Sequence, residues 1–208
     1  MQTMGFGHLT VQFDDRVLRP RPWTLAQSLW AAELADDLPP GPALELCAGV
    51  GHIGLALVAL VRRDLVLVDA DANACDHARF NAAAAGLRTT VDVRHGRMDA
   101  VLGIDERFPL VVADPPWVPS ADIVRYPDDP RWAIDGGDDG LDLARTCLEV
   151  TGRHLAEGGV GVLQVGTRAQ AAALSDHLDG RSTIGLRVDE VRTVEDANGV
   201  LVRVSRPA

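Results

Sequence analysis

Ala43-Leu44-Glu45-Leu46-Cys47-Ala48-Gly49-Val50-Gly51-His52-Ile53-Gly54 is a short apolar run that opens into G-x-G-x-x-G. The run has the length and composition of a buried strand, Ala43–Cys47. The glycines let the backbone come close to a ligand at the turn into a helix. That helix, Ile53–Val61, is apolar nearly all round, which predicts cover on more than one side. Leu65–Val68 is a second buried strand and ends in Asp69, 18 residues beyond Gly51. An acid at that place accepts hydrogen bonds from ribose hydroxyls.

Outward from this unit, Asn73–Ala85 repeats small residues at Ala74, Ala78, Ala82 and Ala85, a helix face made for close packing, with Gly86 as its C′ cap. Thr90–Arg94 reads as a third strand. In Pro109-Leu110-Val111-Val112-Ala113-Asp114-Pro115-Pro116-Trp117, Leu110–Ala113 is a fourth, because the two prolines fix φ and stop the strand at Asp114. A long acidic, proline-rich loop spans 118–140. Leu141, Ala144, Leu148, Thr151 and Leu155 give the next helix its buried stripe. Val160–Val165 is a fifth strand, Ala169–Leu178 a helix, and Leu186–Val191 and Val200–Val204 close the chain around a turn at Asn198-Gly199.

Towards the N-terminus, residues 1–22 read as irregular apart from the alternating Leu9–Phe13. Arg19-Pro20-Arg21-Pro22 forces an extended segment. Thr24 with Gln27 suggests a capping box, and Leu25, Leu29, Ala32 and Leu38 the inner face of a helix that Pro39-Pro40-Gly41-Pro42 ends. The expected fold is α/β: a Rossmann-like, seven-stranded, mostly parallel sheet with helices on both faces and a C-terminal antiparallel hairpin. Residues 1–42 form an N-terminal lid or helical extension, and residues 43–208 the main domain.

The 208 residues suffice for one sizeable core. All 20 basic residues are arginine, and the formal charge of −10 argues against a nucleic-acid partner. Cys47, Cys75 and Cys147 are widely spaced and form no C-x-x-C pair, which points to a reducing, cytoplasmic compartment and to neither a disulfide framework nor a metal. No signal peptide and no apolar run of membrane-spanning length is visible.

The glycine loop with its acid suits two cofactor classes: a dinucleotide held by its pyrophosphate, as in an NAD(P) oxidoreductase, or S-adenosylmethionine. Glu45 favours the second, since an acid there suits an ammonium group and repels a pyrophosphate. So does the proline turn. Amino groups conjugated to a carbonyl or a ring are poor nucleophiles; Asp114 and the carbonyl of Pro115 are two acceptors of fixed separation for their N–H groups. Trp117 offers a flat surface to a planar substrate. His52, His95 and His154 lack metal-ligand spacing and read as structural; Trp132 either closes over substrate or anchors its loop.

Glu45–Gly51, Val68-Asp69-Ala70 and Asp114-Pro115-Pro116-Trp117 together resemble a class I S-adenosylmethionine-dependent methyltransferase. More narrowly, the chain is similar to the HemK-like family of release-factor glutamine N5-methyltransferases, matching its R-P-x-T motif at Arg21-Pro22-Trp23-Thr24 and its L-x-G-G-x-D-G-L segment at Ile134–Leu141. The resemblance implies cofactor contacts from Thr24, Glu45, Cys47, Gly49, Gly51, Ile53, Asp69, Ala70 and Asp114. It implies that Asp114, Pro115, Pro116 and Trp117 hold the nitrogen to be methylated. The implied acceptor is a protein glutamine side chain; the alternatives are a nucleobase exocyclic amine and a small planar metabolite.

Three departures stand out. Asp114 replaces the family's asparagine, and an ionised aspartate accepts but cannot donate. Arg97 replaces the acid that meets the adenine amine, leaving Asp99 and Asp92 as substitutes. The helical N-terminal domain that engages release factors has no counterpart here, and the resemblance implies that short members of this kind can depend on a small activator subunit.

Overall fold

The computed structural model describes residues 1–193 and 199–207, so the expected turn residue Asn198 lies outside the described residues. Gln2–Phe6 (β1) and Leu9–Phe13 (β2) pair as an antiparallel hairpin. The chain then runs extended to a 3-10 turn at Pro22–Thr24 and enters Leu25–Leu34 (α1). Ala43–Leu46 (β3), His52–Val61 (α2), Leu65–Asp69 (β4), Ala72–Ala84 (α3), Val91–His95 (β5) and Phe108–Ala113 (β6) follow. Beyond a one-turn helix at Arg131–Ile134 (α4) come Asp142–His154 (α5), Leu155–Val165 (β7), Arg168–Asp179 (α6), Arg187–Thr193 (β8) and Val200–Ser205 (β9).

The main sheet has the order β5-β4-β3-β6-β7-β9-β8, with β5 to β7 mutually parallel and β9 antiparallel to both neighbours. This is the expected seven-stranded sheet with its terminal hairpin. The strand order reverses at β3, with β4 and β5 built to one side and β6 and β7 to the other. Such a reversal opens a crevice beyond the carboxyl ends of the strands. The glycine loop leaves β3 and the proline turn leaves β6 at that place.

Alternate residues of each strand serve the two faces. Ala43, Leu65, Leu67, Leu110, Val112 and Val162 pack under α1, α2 and α3; Leu44, Leu46, Val66, Val68, Val111 and Leu163 pack under α5 and α6. The expected stripe of α5 is buried at all five positions. Gly86 takes the positive φ of 62° that a C′ cap requires.

Four expectations need correction. Residues 1–6 are not irregular, because β1 finds its partner in β2, and Phe6, Val11, Phe13 and Val17 are buried in one cluster with α1, α2 and α3. Thr24 makes no capping bond; its backbone is already helical, and its hydroxyl donates to the Arg21 carbonyl at 2.9 Å. Gln27 is turned inward instead, its amide donating to the carbonyls of Ala113 and Val162 at 2.9 and 2.8 Å. The inner face of α1 is therefore Gln27, Ser28, Trp30 and Ala31, while Leu29 is about half exposed at 48%. The loop 118–140 is not structureless: it contains a 3-10 helix at Ser120–Arg125, α4, and a bridge between Val118 and Asp135.

Candidate active site

A cavity of about 500 Å³ opens at the switch point. The β3–α2 loop supplies Cys47, Ala48, Gly49, Val50, His52 and Ile53, and the end of β4 supplies Val68, Asp69, Ala70 and Asp71. Gly96, Arg97, Met98 and Asp99 come from beyond β5, Asp114 and Pro116 from beyond β6, and Leu143 and Thr146 from α5. Two segments complete the wall from outside the sheet: Val17–Arg21 with Thr24, and Trp132 with Ala133. Arg21 and Asp129 join these two segments through an ion pair of 2.6 Å to Oδ1.

The loop is pinned from below. Asn81 of α3 accepts from the Gln12 N–H at 2.8 Å and donates to the carbonyls of Gln12 and Val50, both at 3.0 Å, so one amide fixes the hairpin and the loop to the same helix. Gly49 has φ +53°, and a Cβ built there would meet nothing within 4 Å. The added atom would project into open space, so this glycine holds room for a ligand rather than for packing. Cys47 carries φ +56° without being glycine, a costly conformation where the chain leaves β3.

Asp69 holds the loop in place: Oδ2 accepts from the Gly49 N–H at 2.7 Å and Oδ1 from the Asp71 N–H at 2.8 Å. Each oxygen keeps lone pairs for a diol. Burial raises this carboxyl above its ordinary range, and the two N–H groups pull it back. Of the three residues considered for the adenine end, Arg97 and Asp99 line the cavity and pair at 2.8 Å, while Asp92 lies outside it and pairs with Arg94.

Beyond β6, next in register to Cys47, Asp114 is half-buried and accepts from the Gln164 amide at 3.1 Å. Burial pushes its carboxyl up to about 7, against the pull of that hydrogen bond. The turn is buttressed from outside. Gln170 donates to the Trp117 carbonyl at 2.9 Å, the Gly136 N–H to the Val118 carbonyl at 2.9 Å, and the Ser120 N–H to the Gly137 carbonyl at 2.8 Å. The Gly136-Gly137-Asp138-Asp139-Gly140 segment thus supports the proline turn.

Four expected site residues lie outside the cavity wall. Glu45 is buried behind the loop, where Oε2 accepts from the Gly54 N–H at 2.9 Å and Oε1 has no partner; burial holds its carboxyl well above the ordinary range. Gly51 faces Leu67 and Ala78. Pro115 is buried, and the ring of Trp117 lies against Gly166. His52 lines the cavity, with Nε2 3.2 Å from the Thr24 hydroxyl; burial lowers it to about 4, so its imidazole is neutral at pH 7. Among the described residues no cluster of His, Cys, Asp and Glu could hold a metal.

Sequence reasoning missed Val17–Pro20, Met98, Leu143 and Thr146 in the wall, and Gln164 behind Asp114. Gln164 had a signal: an amide within the apolar run Val160–Val165 requires a buried partner. Arg19 and Pro20 stood in the Arg-Pro run but were read only as an extended segment; Val17, Leu18, Met98, Leu143 and Thr146 belong to no motif.

A glycine-lined space at the switch point with Asp69 at the end of β4 is the arrangement in which class I methyltransferase folds hold a nucleoside. These residues fit S-adenosylmethionine. A family model described as Methyltransferase small domain matches residues 26–125. The chain is 33% identical over 203 residues to the release factor glutamine methyltransferase of Caulobacter vibrioides, covering 92% of this chain and 66% of that protein. It is 31% identical to the protein of that name in Gloeobacter violaceus, covering 95% and 70%, and 32% identical to the ribosomal protein uL3 glutamine methyltransferase of Burkholderia pseudomallei, covering 74% and 54%. The chain thus spans roughly half to two thirds of most of these relatives. Among solved structures, a ribosomal protein L11 methylase from Lactobacillus delbrueckii subsp. bulgaricus superposes with TM-score 0.63 at 16% identity over 95% of this chain and 86% of that one. The N-terminal domain of human METTL16 in complex with SAH gives 0.66 at 15% identity over 94% and 75%. The chain belongs to the HemK-like glutamine methyltransferase family of class I S-adenosylmethionine-dependent enzymes. Membership in that family removes the dinucleotide alternative. No helix among the described residues is long and apolar enough to cross a membrane.

Proposed function

We propose that this protein transfers a methyl group from S-adenosylmethionine to the side-chain nitrogen of a glutamine in a protein of the translation machinery. The observation that carries the reading is Asp114 and Pro116 lining the same cavity as the open Gly49 loop. The donor supplies an electrophilic methyl on a sulfonium. Thr24, Gly49, Asp69 and Ala70 hold its nucleoside and amino-acid parts, and Gly51, Cys47, Ile53 and Glu45 shape the loop around them. Asp114 accepts the amide N–H groups, and Pro116, which lines the cavity, with Pro115 and Trp117 behind it, fixes the turn that carries Asp114. As the nitrogen takes the methyl it gives up one proton to the Asp114 carboxylate that accepts its N–H, from which it passes to water, and the electron pair of the broken bond stays on sulfur. Alignment of this kind contributes roughly 7–11 kcal/mol in favourable cases. The protein acts in the cytoplasm, in keeping with its three free cysteines.

Asp114 suits an exocyclic aromatic amine as well, which makes a nucleobase the second reading. Incubation with labelled donor, cell extract and purified release factor, followed by separate protease and nuclease digestion, decides between them. The expected result is protease-sensitive label on glutamine, at least 100-fold weaker for Asp114→Ala. Label removed by nuclease alone would overturn the glutamine reading. The small activator subunit implied by the resemblance is tested in the same assay by methylation of release factor with and without extract.

A further inference from the structure

Asp114 is placed by the register of two strands. Ala113 of β6 pairs with Leu163 of β7, so Asp114 stands beside Gln164. Gln164 is only 2% exposed, on the β7 face that points to α1 with Val160 and Val162. Its Nε2 is the one described side-chain group that donates to Asp114, at Oδ1 and 3.1 Å. Its other end is an orphan: Oε1 is buried with no partner among the described residues. A buried amide with an unmet acceptor is costly and persists where something requires it. Gly199 leaves it the space, since a Cβ there would lie 3.4 Å from the Gln164 Cδ. Leucine or methionine would fill the position at no such cost, yet the strand spends an amide on Asp114.

We propose that Gln164 is a positioning residue for methyl transfer: by occupying Oδ1 it turns the Asp114 carboxyl so that Oδ2 alone is presented to the substrate nitrogen and the sulfonium. This rests on the assignment of Asp114 to the methyl-accepting end of the cavity. Donation to the carboxylate also favours its ionised form, opposing the burial that raises it. Gln164 therefore sets both where the charge points and at which pH it is present. Gln27 does the equivalent for the backbone, through the carbonyls of Ala113 and Val162, and carries no bond to the carboxyl.

The test needs no methyl acceptor, so its outcome stands apart from that of the glutamine reading. The ratio of S-adenosylmethionine to S-adenosylhomocysteine affinity is measured by calorimetry from pH 5.5 to 9 in the wild type, Gln164→Met and Gln164→Glu. The sulfonium is cationic and the thioether is not, so the ratio follows the carboxyl charge at the cavity: Asp114 first, with Asp69 and the buried Glu45, also raised by burial, present in every variant and told apart from it by Asp114→Asn. In the wild type it should rise about tenfold with a midpoint near 7. In Gln164→Met the midpoint should move at least one pH unit higher, with S-adenosylhomocysteine affinity unchanged within threefold. In Gln164→Glu two carboxyls share the site, and the ratio should rise in two steps. Where an acceptor is in hand, the Gln164→Met rate should fall at least tenfold at pH 7 with KM nearly constant, and recover in part at pH 9. A midpoint identical in the wild type and in Gln164→Glu, or in whichever variant folds, overturns the proposal. So does an Asp114→Asn ratio that still titrates, since the charge read would then lie elsewhere.

Discussion

Asp114 sits where the residue type decides which hydrogen bonds are available. As a carboxylate it can only accept; as a neutral acid it can accept and donate, which is what an asparagine does at every pH. With its carboxyl raised to about 7 by burial, the residue passes between these two forms across the physiological range. The native state binds this proton more tightly than the unfolded chain, whose carboxyl titrates near 3.8. The stabilisation is fully present below about pH 4 and is lost as pH rises to about 7, at most about 4 kcal/mol over that window. Asp114→Asn should remove this slope. Melting temperatures from pH 4 to 8 should fall for the wild type relative to the variant, and methyl transfer by the variant should lose its dependence on pH between 6 and 8. Parallel melting curves for the two proteins would show that Asp114 titrates normally.

At the scale of elements, the turn after β6 is held by a second loop rather than by its own stiffness. Gly140 has φ +77°, and a Cβ there would run into the Trp117 carbonyl and the Gln170 amide. Gly140→Ala should therefore displace the turn, costing about 2–4 kcal/mol in stability from strain and one lost buried hydrogen bond. Binding of S-adenosylhomocysteine should change less than threefold while the methylation rate falls at least tenfold, because the nucleoside end lies in a different loop. The glycine loop, β3, β4 and β6 were legible in the sequence because buried parallel strands are continuous apolar runs bounded by Gly, Asp and Pro. Asp69 and Asp114 were legible for the same reason, as acids at strand ends. The hairpin of β1 was not, since Gln2–Phe6 is mostly exposed and acquires its identity from pairing with β2. Gln27 looked like a cap because Thr-x-x-Gln is a capping pattern. What turned it inward was the pair of carbonyls at Ala113 and Val162, 86 and 135 residues away. A separation of 50 residues likewise hid Gln164 as the partner of Asp114. Glu45 was misplaced for a different reason: its partner Gly54 is only nine residues on, and the side the strand turns it to, behind the loop, is not marked by its motif.

For the whole molecule, the cavity wall draws on residues 17 to 146, so a ligand there touches nearly every layer of the fold at once. Binding to the native state alone stabilises it by about 2.7 kcal/mol at a ligand concentration 100 times Kd, and for about 200 residues that is a shift of about 5–11 °C in Tm. S-adenosylhomocysteine should produce this shift in the wild type. The Arg21–Asp129 pair ties the N-terminal wall to the loop that carries Trp132, and its charges are 31% and 14% exposed, so its loss should cost the unliganded protein less than about 1 kcal/mol. The consequence for a ligand differs in kind, because the pair closes the cavity from outside and does not anchor the core. Arg21→Ala should leave the unliganded Tm within about 2 °C of the wild type and weaken S-adenosylhomocysteine about fivefold, almost wholly through faster dissociation. At fixed ligand that removes about 1 kcal/mol of the stabilisation, or about 2–4 °C of the shift. Raising salt from 0.05 to 0.5 M should erode the wild-type shift towards that of the variant and leave the variant unmoved, since screening acts on the pair that the variant lacks. An equal loss of shift in both proteins would mean that the two wall segments are held by packing, with the ion pair incidental.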